Sequence, residues 1–183
     1  MGATGLIVIL NGASSVGKTS VATAIQRFAI RGFMHLSMDI FLAMLPPRSF
    51  GTAEGLSFVP AGGDGLEVRS GPSVDRVLAA MRQMVADLAA RGGNVLVDDV
   101  MLGEGDEADY RALLAPFNVK LIGLHASLAV IEARERQRGD RDIGLARWQI
   151  ERVHRGRSYD LEIDTNTMSA NDAARLICRA FDL

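Results

Sequence analysis

Two hydrophobic periodicities alternate along the chain. Leu6-Ile7-Val8-Ile9-Leu10 is apolar without a break, which predicts a parallel strand covered on both faces. A helix is expected from Lys18 to about Ile30, then a short strand from Met34 to Ser37 and a short helix over Ile40 to Leu45, stopped by Pro46-Pro47. Val74, Val77, Leu78, Met81, Met84, Val85 and Leu88 recur at spacings of three and four, one face of a long helix with Ser73 as its expected N-cap and Gly92-Gly93 as its end. Val95-Leu96-Val97 reads as a third strand that ends in Asp98-Asp99. A helix over Asp106 to Leu114, a strand over Val119 to Leu124, and helices over Ser127 to Arg138 and Leu145 to Val153 follow. Tyr159, Leu161 and Ile163 alternate with acids, predicting a half-exposed fifth strand, and a helix from about Asn171 closes the chain. The glycine-rich stretch from Arg48 to Pro72 is expected to be weakly structured.

Strands that alternate with helices predict an α/β fold: one five-stranded parallel sheet with helices on both faces, three layers in all. At 183 residues a single domain is expected, and its ligands should bind at the C-terminal ends of the strands. With 20 Lys+Arg against 22 Asp+Glu, the net charge of -2 offers no general attraction to nucleic acid or to an anionic membrane, so any phosphate must be held by a local site. The apolar run at Leu6 is too short for a signal core or a membrane span. The single cysteine, Cys178, excludes an internal disulfide and fits a reducing compartment, so the expected location is cytoplasmic.

The local site is visible at the end of the first strand. Gly12-Ala13-Ser14-Ser15-Val16-Gly17-Lys18-Thr19 matches G-x-x-x-x-G-K-[ST] without a gap, between a strand and a helix. Such a loop turns consecutive N–H groups inward on an anion, and the helix aims its positive end at the same place. A chance match in a chain of this length is on the order of one in a hundred. These residues, with Ser20, are the expected nucleotide-binding set. Lys18 is placed to bridge the β- and γ-phosphates of ATP, and the Thr19 hydroxyl to take one Mg²⁺ position. Asp98, at the end of an apolar strand, is the second expected metal ligand; Asp99 is expected to orient it or to touch an acceptor.

Neither N-K-x-D nor D-x-x-G occurs, which argues against a regulatory GTPase. Three features point to a kinase for a small hydroxylated molecule. Asp39, just past the second strand, is placed to take the proton of an attacking alcohol, with a helix cap as the competing role. Arg134, Arg138 and Arg141 share one helical face that Gly139 interrupts, as expected for an arginine-rich lid over the phosphates, with a solvated charged face as the alternative. Phe50, Leu56, Phe58 and Val59, with Met38, Phe41 and Met44, either wall an acceptor pocket or cover the sheet edge. His35, His125 and His154 are read as structural.

In order, Val8 to Thr19, Asp39, Val97 to Gly103, Arg134-Glu135 with Arg138 to Arg141, Val153 to Gly156 and Tyr159 to Thr165 resemble the chloramphenicol phosphotransferase-like proteins, within the P-loop nucleoside-kinase fold. Thr19 stands where that family is expected to carry serine. The resemblance implies ATP-dependent phosphorylation of a primary hydroxyl of chloramphenicol. It implies that Asp39 is the general base, that Lys18, Arg138 and Arg141 steady the phosphoryl group, and that Asp164-Thr165 lies near the adenine; Arg134 is grouped with the nucleotide site. A kinase of another metabolite or nucleotide sugar, and a nucleotide-binding regulatory module without turnover, remain the alternatives.

Overall fold

The computed structural model describes residues 4–62, 64–138 and 144–183. The elements run β1 (Leu6–Asn11), α1 (Lys18–Phe28), β2 (Phe33–Ser37), α2 (Met38–Leu42), β3 (Leu56–Ala61), β4 (Gly65–Ser70), α3 (Pro72–Ala90), β5 (Asn94–Asp99), α4 (Asp106–Leu113), β6 (Asn118–His125), α5 (Leu128–Arg138), α6 (Leu145–Ile150), β7 (Leu161–Asp164) and α7 (Ala170–Phe181). A 3₁₀ turn spans Pro47–Ser49. The main sheet has the order β2-β5-β1-β6-β7 and is parallel throughout, as the alternating pattern predicts.

Every residue of β1 is buried, because it is the central strand and helices cover it on both sides. Side chains alternate across a strand, so Leu6, Val8 and Leu10 pack with Val21 and Ile25 of α1 and Ile177 of α7. Ile7 and Ile9 face the other way, onto Met81, Val85 and Ala89 of α3. Leu10 is wholly buried directly before the phosphate loop. Leu10→Ala is expected to cost about 2–5 kcal/mol, read as a lower urea midpoint.

Two expectations are corrected. The long third helix begins at Pro72 with Gly71 at the cap, not with Ser73 as cap: proline at the first helical position carries a preset φ and loses no hydrogen bond there. The stretch from Arg48 to Pro72 is also more structured than expected, since Leu56–Ala61 and Gly65–Ser70 form an antiparallel hairpin. Its second strand alternates Leu66, Val68 against Glu67, Arg69 after a glycine turn, a period-two signal. Pro60 is tolerated because both strands of a two-stranded sheet are edges.

The hairpin is attached to the end of the chain that follows α5. Leu66 N donates to Gly144 O at 3.0 Å, and β4 packs along α6. Gly144 has φ +98, and a Cβ there would lie 2.3 Å from Asp64 O, so only glycine fits. Gly144→Ala is expected to lower the melting temperature by displacing the hairpin from α6, at a cost of about 1–3 kcal/mol.

Candidate active site

The phosphate loop leaves the central strand at the mouth of the sheet. Ser15 and Gly17 take left-handed φ values of 61 and 105, which folds the loop back on itself. Gly12 is needed for close approach: a Cβ would lie 2.6 Å from Leu124 O. Lys18 is buried, and its Nζ donates to Gly12 O at 2.9 Å and Ala13 O at 3.0 Å. Ser14, Ser15, Gly17, Lys18, Thr19 and Ser20 line one cavity at the loop, while Ala13 and Val16 are buried in the core behind it.

Asp98 joins that cavity from β5. Leu96 and Asp98 face α1 while Val97 and Asp99 face α3 and α4, so two adjacent carboxylates separate by strand alternation. Thr19 Oγ1 donates to Asp98 Oδ2 at 2.6 Å, and Lys18 Nζ stands 4.0 Å from Oδ1. Burial alone would raise the Asp98 carboxyl, yet it is held below its ordinary value. His35 Nε2 lies 3.8 Å from Oδ2, too far for a hydrogen bond, so we credit the Lys18 charge and the Thr19 hydroxyl with most of the lowering.

Asp99 does neither of the things expected of it. It accepts from Tyr110 Oη at 2.7 Å and from Val100 N at 2.8 Å, and burial raises its carboxyl. It is an internal strut between β5 and α4.

Asp39 stands in the first turn of α2 with Ser37 at the cap position, so its carboxylate is a first-turn acid and not the cap residue itself. It lines the phosphate-loop cavity and also a second cavity of ≈ 430 Å³ beside it. Leu42, Leu56, Phe58, Val68, Leu102 and Leu145 supply apolar wall to this second cavity; Asp75, Arg82, Asp106 and Asp109 supply polar wall. Of the residues expected to form a pocket, Met38, Leu56 and Phe58 do so. Phe41 is instead core, and Phe50 and Met44 are exposed.

On the other side of the loop, Arg134 reaches back from α5. Its guanidinium donates to Val16 O at 3.2 Å, Thr165 Oγ1 at 3.1 Å and Thr165 O at 2.7 Å. Arg134, Thr165 and Met168 line a third cavity with Ser15, Gly17 and Ser20. Arg138 is the last residue of α5; Arg141 and the side chain of Arg138 lie outside the described residues.

Three features were not read from the sequence. Asn11, fully buried, accepts from Met101 N at 2.9 Å and donates to Val153 O at 2.9 Å and Tyr159 Oη at 2.7 Å, tying three segments to the root of the loop. Glu135, also buried, accepts from Gly144 N at 3.0 Å and Ala146 N at 3.1 Å and so fixes α6 to α5. Gln149 of α6 lines both the phosphate-loop cavity and the apolar one. Asn11, directly before the motif, and Glu135, in the block beside Arg134, carried a sequence signal; Gln149 carried none.

His154 is structural, as read, although it lies in a turn after α6 and not in a helix. Its Nδ1 is 2.8 Å from Tyr159 Oη and its ring stacks on His125 at 3.9 Å. Burial, and the facing His125, push its pKa down from 6.5 to about 4. Between those values the unfolded chain binds a proton that the folded one refuses, so stability is full above about 6.5 and falls as the pH drops toward 4. Between about pH 7.5 and pH 5, His154→Gln should therefore show a smaller fall in melting temperature than the unsubstituted protein.

Among the described residues no helix is long and apolar enough to cross a membrane. A family model described as chloramphenicol phosphotransferase-like protein matches residues 5–182. Two curated proteins of Mycobacterium tuberculosis, from strains CDC 1551 / Oshkosh and ATCC 25618 / H37Rv, both named "Putative O-phosphotransferase", are 33% identical over 181 residues, covering 93% of this chain and 80% of theirs. Among solved structures, the M. tuberculosis APS kinase CysC in complex with AMPPNP and APS superposes with a TM-score of 0.71 at 16% identity, covering 100% of both chains. A gluconokinase from Sinorhizobium meliloti 1021 gives 0.63 at 20% identity, covering 98% of this chain and 93% of that one. The Deinococcus radiodurans tunicamycin resistance protein gives 0.67 at 18%, covering 98% and 96%. These structures share the three-layer P-loop kinase fold.

Proposed function

The chain belongs to the chloramphenicol phosphotransferase-like family and is a phosphotransferase with a hydroxyl acceptor; from that premise we propose that it moves the γ-phosphoryl of ATP, with Mg²⁺, onto a neutral amphipathic alcohol of the chloramphenicol kind. The observation that carries this reading is the position of Asp39, on the wall common to the phosphate-loop cavity and the apolar cavity.

The residues present fit both groups. Ser14 Oγ and Ser15 Oγ are buried in the loop without a hydrogen-bond partner, which is costly unless an anion or water meets them. The third cavity, between Arg134 and Thr165, suits the nucleoside. Among the described residues no group of three or more His, Cys, Asp or Glu could hold a metal. Mg²⁺ needs no such cage, since it keeps several waters and leans on phosphate; Thr19 and Asp98 offer it the oxygen donors it prefers. When bound, the metal neutralises charge on the transferring phosphates.

In the proposed reaction Asp39 takes the proton of the acceptor hydroxyl as its oxygen forms a bond to the γ-phosphorus. The bond from that phosphorus to the bridging oxygen breaks, and ADP leaves. Lys18, with Arg138 and Arg141 of the proposed lid, offsets the negative charge spread over the phosphoryl oxygens. Arg134 holds the nucleoside side.

The composition of the acceptor cavity favours an amphenicol-like alcohol over the nucleotide-sugar alternative. Its carboxylates Asp39, Asp75, Asp106 and Asp109 outnumber Arg82, which is already bound to Asp106 at 2.8 Å. Among the described lining residues acids exceed bases, which disfavours an anionic acceptor. The test is to incubate the protein with MgATP and a panel of hydroxylated acceptors, chloramphenicol and a nucleotide sugar among them, and follow ADP release and the mass of the acceptor. Chloramphenicol should stimulate ADP release and gain one phosphoryl group, and the nucleotide sugar should do neither. If no hydroxylated compound stimulates release, the reading as a kinase fails.

A further inference from the structure

Gln149 is the residue of the site that the preceding reaction leaves without a task. It is 4% exposed, although glutamine usually lies in solvent, and it sits on the wall common to the donor and acceptor cavities. Ser14 N donates to its Oε1 at 2.7 Å, across 135 positions of sequence. A backbone N–H requires an oxygen opposite it, so the amide has one orientation: oxygen on the phosphate loop, NH₂ turned away from that N–H.

The helix that carries Gln149 is tied to its neighbours at its start. Glu135 holds Gly144 N and Ala146 N at the start of α6, Gly144 O holds Leu66 N of the hairpin, and Glu132 pairs with Arg147 at 2.5 Å. The start of α6 is thus held by α5 and the hairpin, and the Gln149 side chain is held by Ser14 N. A donor fixed in advance by its surroundings is the kind that stabilises developing charge without reorganising.

Resting on the phosphotransferase reading, we propose that Gln149 is a further catalytic residue: its amide NH₂ donates to an oxygen of the phosphoryl group while that group passes from ATP to the acceptor. The Ser14 N–H is spent on Gln149 Oε1, and the amide offers its own N–H groups in return, one side chain nearer the acceptor. Gln149 lengthens the phosphate loop toward the attacking alcohol. The Ser14 bond polarises the amide and strengthens its N–H donors. No bond of Gln149 is made or broken.

Two variants separate this role from simple support of the loop. Gln149→Glu keeps an oxygen for the Ser14 N–H and removes the donor, whereas Gln149→Leu removes both. The readout is the affinity for MgADP with and without aluminium fluoride, a planar mimic of the phosphoryl group in transit, which needs no acceptor. Both variants should bind MgADP within about threefold of the unsubstituted protein, and both should lose at least about tenfold of the tightening that aluminium fluoride brings. Acceptor-independent hydrolysis of MgATP should fall in parallel. The Glu carboxylate also repels the phosphates, so the uncharged Leu variant decides. A residue that only supported the loop would cost Gln149→Leu its MgADP affinity and leave its aluminium fluoride tightening intact, and that result overturns the proposal. Should the unsubstituted protein fail to bind MgADP at all, the phosphotransferase reading falls and this inference with it. Should it bind MgADP and transfer phosphoryl while both variants keep the aluminium fluoride effect, only the role of Gln149 falls.

Discussion

Lys18→Ala is expected to lower phosphoryl transfer by about 10³-fold for every acceptor alike, equivalent to about 4 kcal/mol of transition-state stabilisation. The loss is uniform because Lys18 acts on the phosphoryl group and not on the alcohol. Its Nζ is held at the loop by Gly12 O and Ala13 O, where the proposed reaction places the phosphates. Part of the loss will appear in nucleotide affinity, since the ammonium also binds the ground-state phosphates. Initial rates at saturating acceptor, with the melting temperature as a control for folding, measure the effect. An Ala variant that kept a tenth or more of the rate would show that the loop does not hold the transferred group.

The second large effect is expected at Asp39. Asp39→Asn should reduce kcat by about 10²- to 10⁴-fold, the range a positioned general base supplies, while leaving the affinity for MgADP unchanged. The substitution keeps the shape and removes the proton acceptor. Asp39 is exposed, in the first turn of α2, so its stabilising role in the fold is small and activity is the sensitive readout. Retention of full turnover in Asp39→Asn would assign the proton to water or to the phosphoryl group itself. The two variants also separate from each other: Lys18→Ala weakens nucleotide binding, and Asp39→Asn does not.

Arg82 gives the larger, partly apolar cavity beside the phosphate loop a polar end, and its chemistry was hidden in the sequence. It reads there as one charge on the face of a long helix. In the fold it is largely buried, stacked 5.2 Å over the Tyr110 ring and paired with Asp106 and Asp109. The wall of that cavity, the hairpin and the strut at Asp99 share this property. Each depends on which face of an element meets which neighbour, and that information is spread over segments far apart in the chain.

What could be read directly was local. The phosphate loop declared itself because an unbroken run of eight residues carries its whole geometry: small residues for left-handed φ, a lysine, a hydroxyl, a strand before and a helix after. The inner strands β1, β5 and β6 were legible because burial on both faces requires apolar runs, which neighbouring helices at period 3.6 set off, and the edge strand β7 was legible from its alternation with acids. The hairpin was missed because the alternation from Leu66 to Arg69 is short and stands among glycines and a proline.

The amino-acid order alone determined that this chain makes a phosphate cradle at the end of a central strand, since the residues that build it are consecutive and obey backbone sterics. Tertiary structure alone decided that Asp99 turns away to Tyr110, that Asp39 stands between two cavities, and that Gln149 reaches Ser14. The physical reason is that strand alternation and helix packing choose a direction for each side chain, and packing is settled only when distant segments compete for the same buried space.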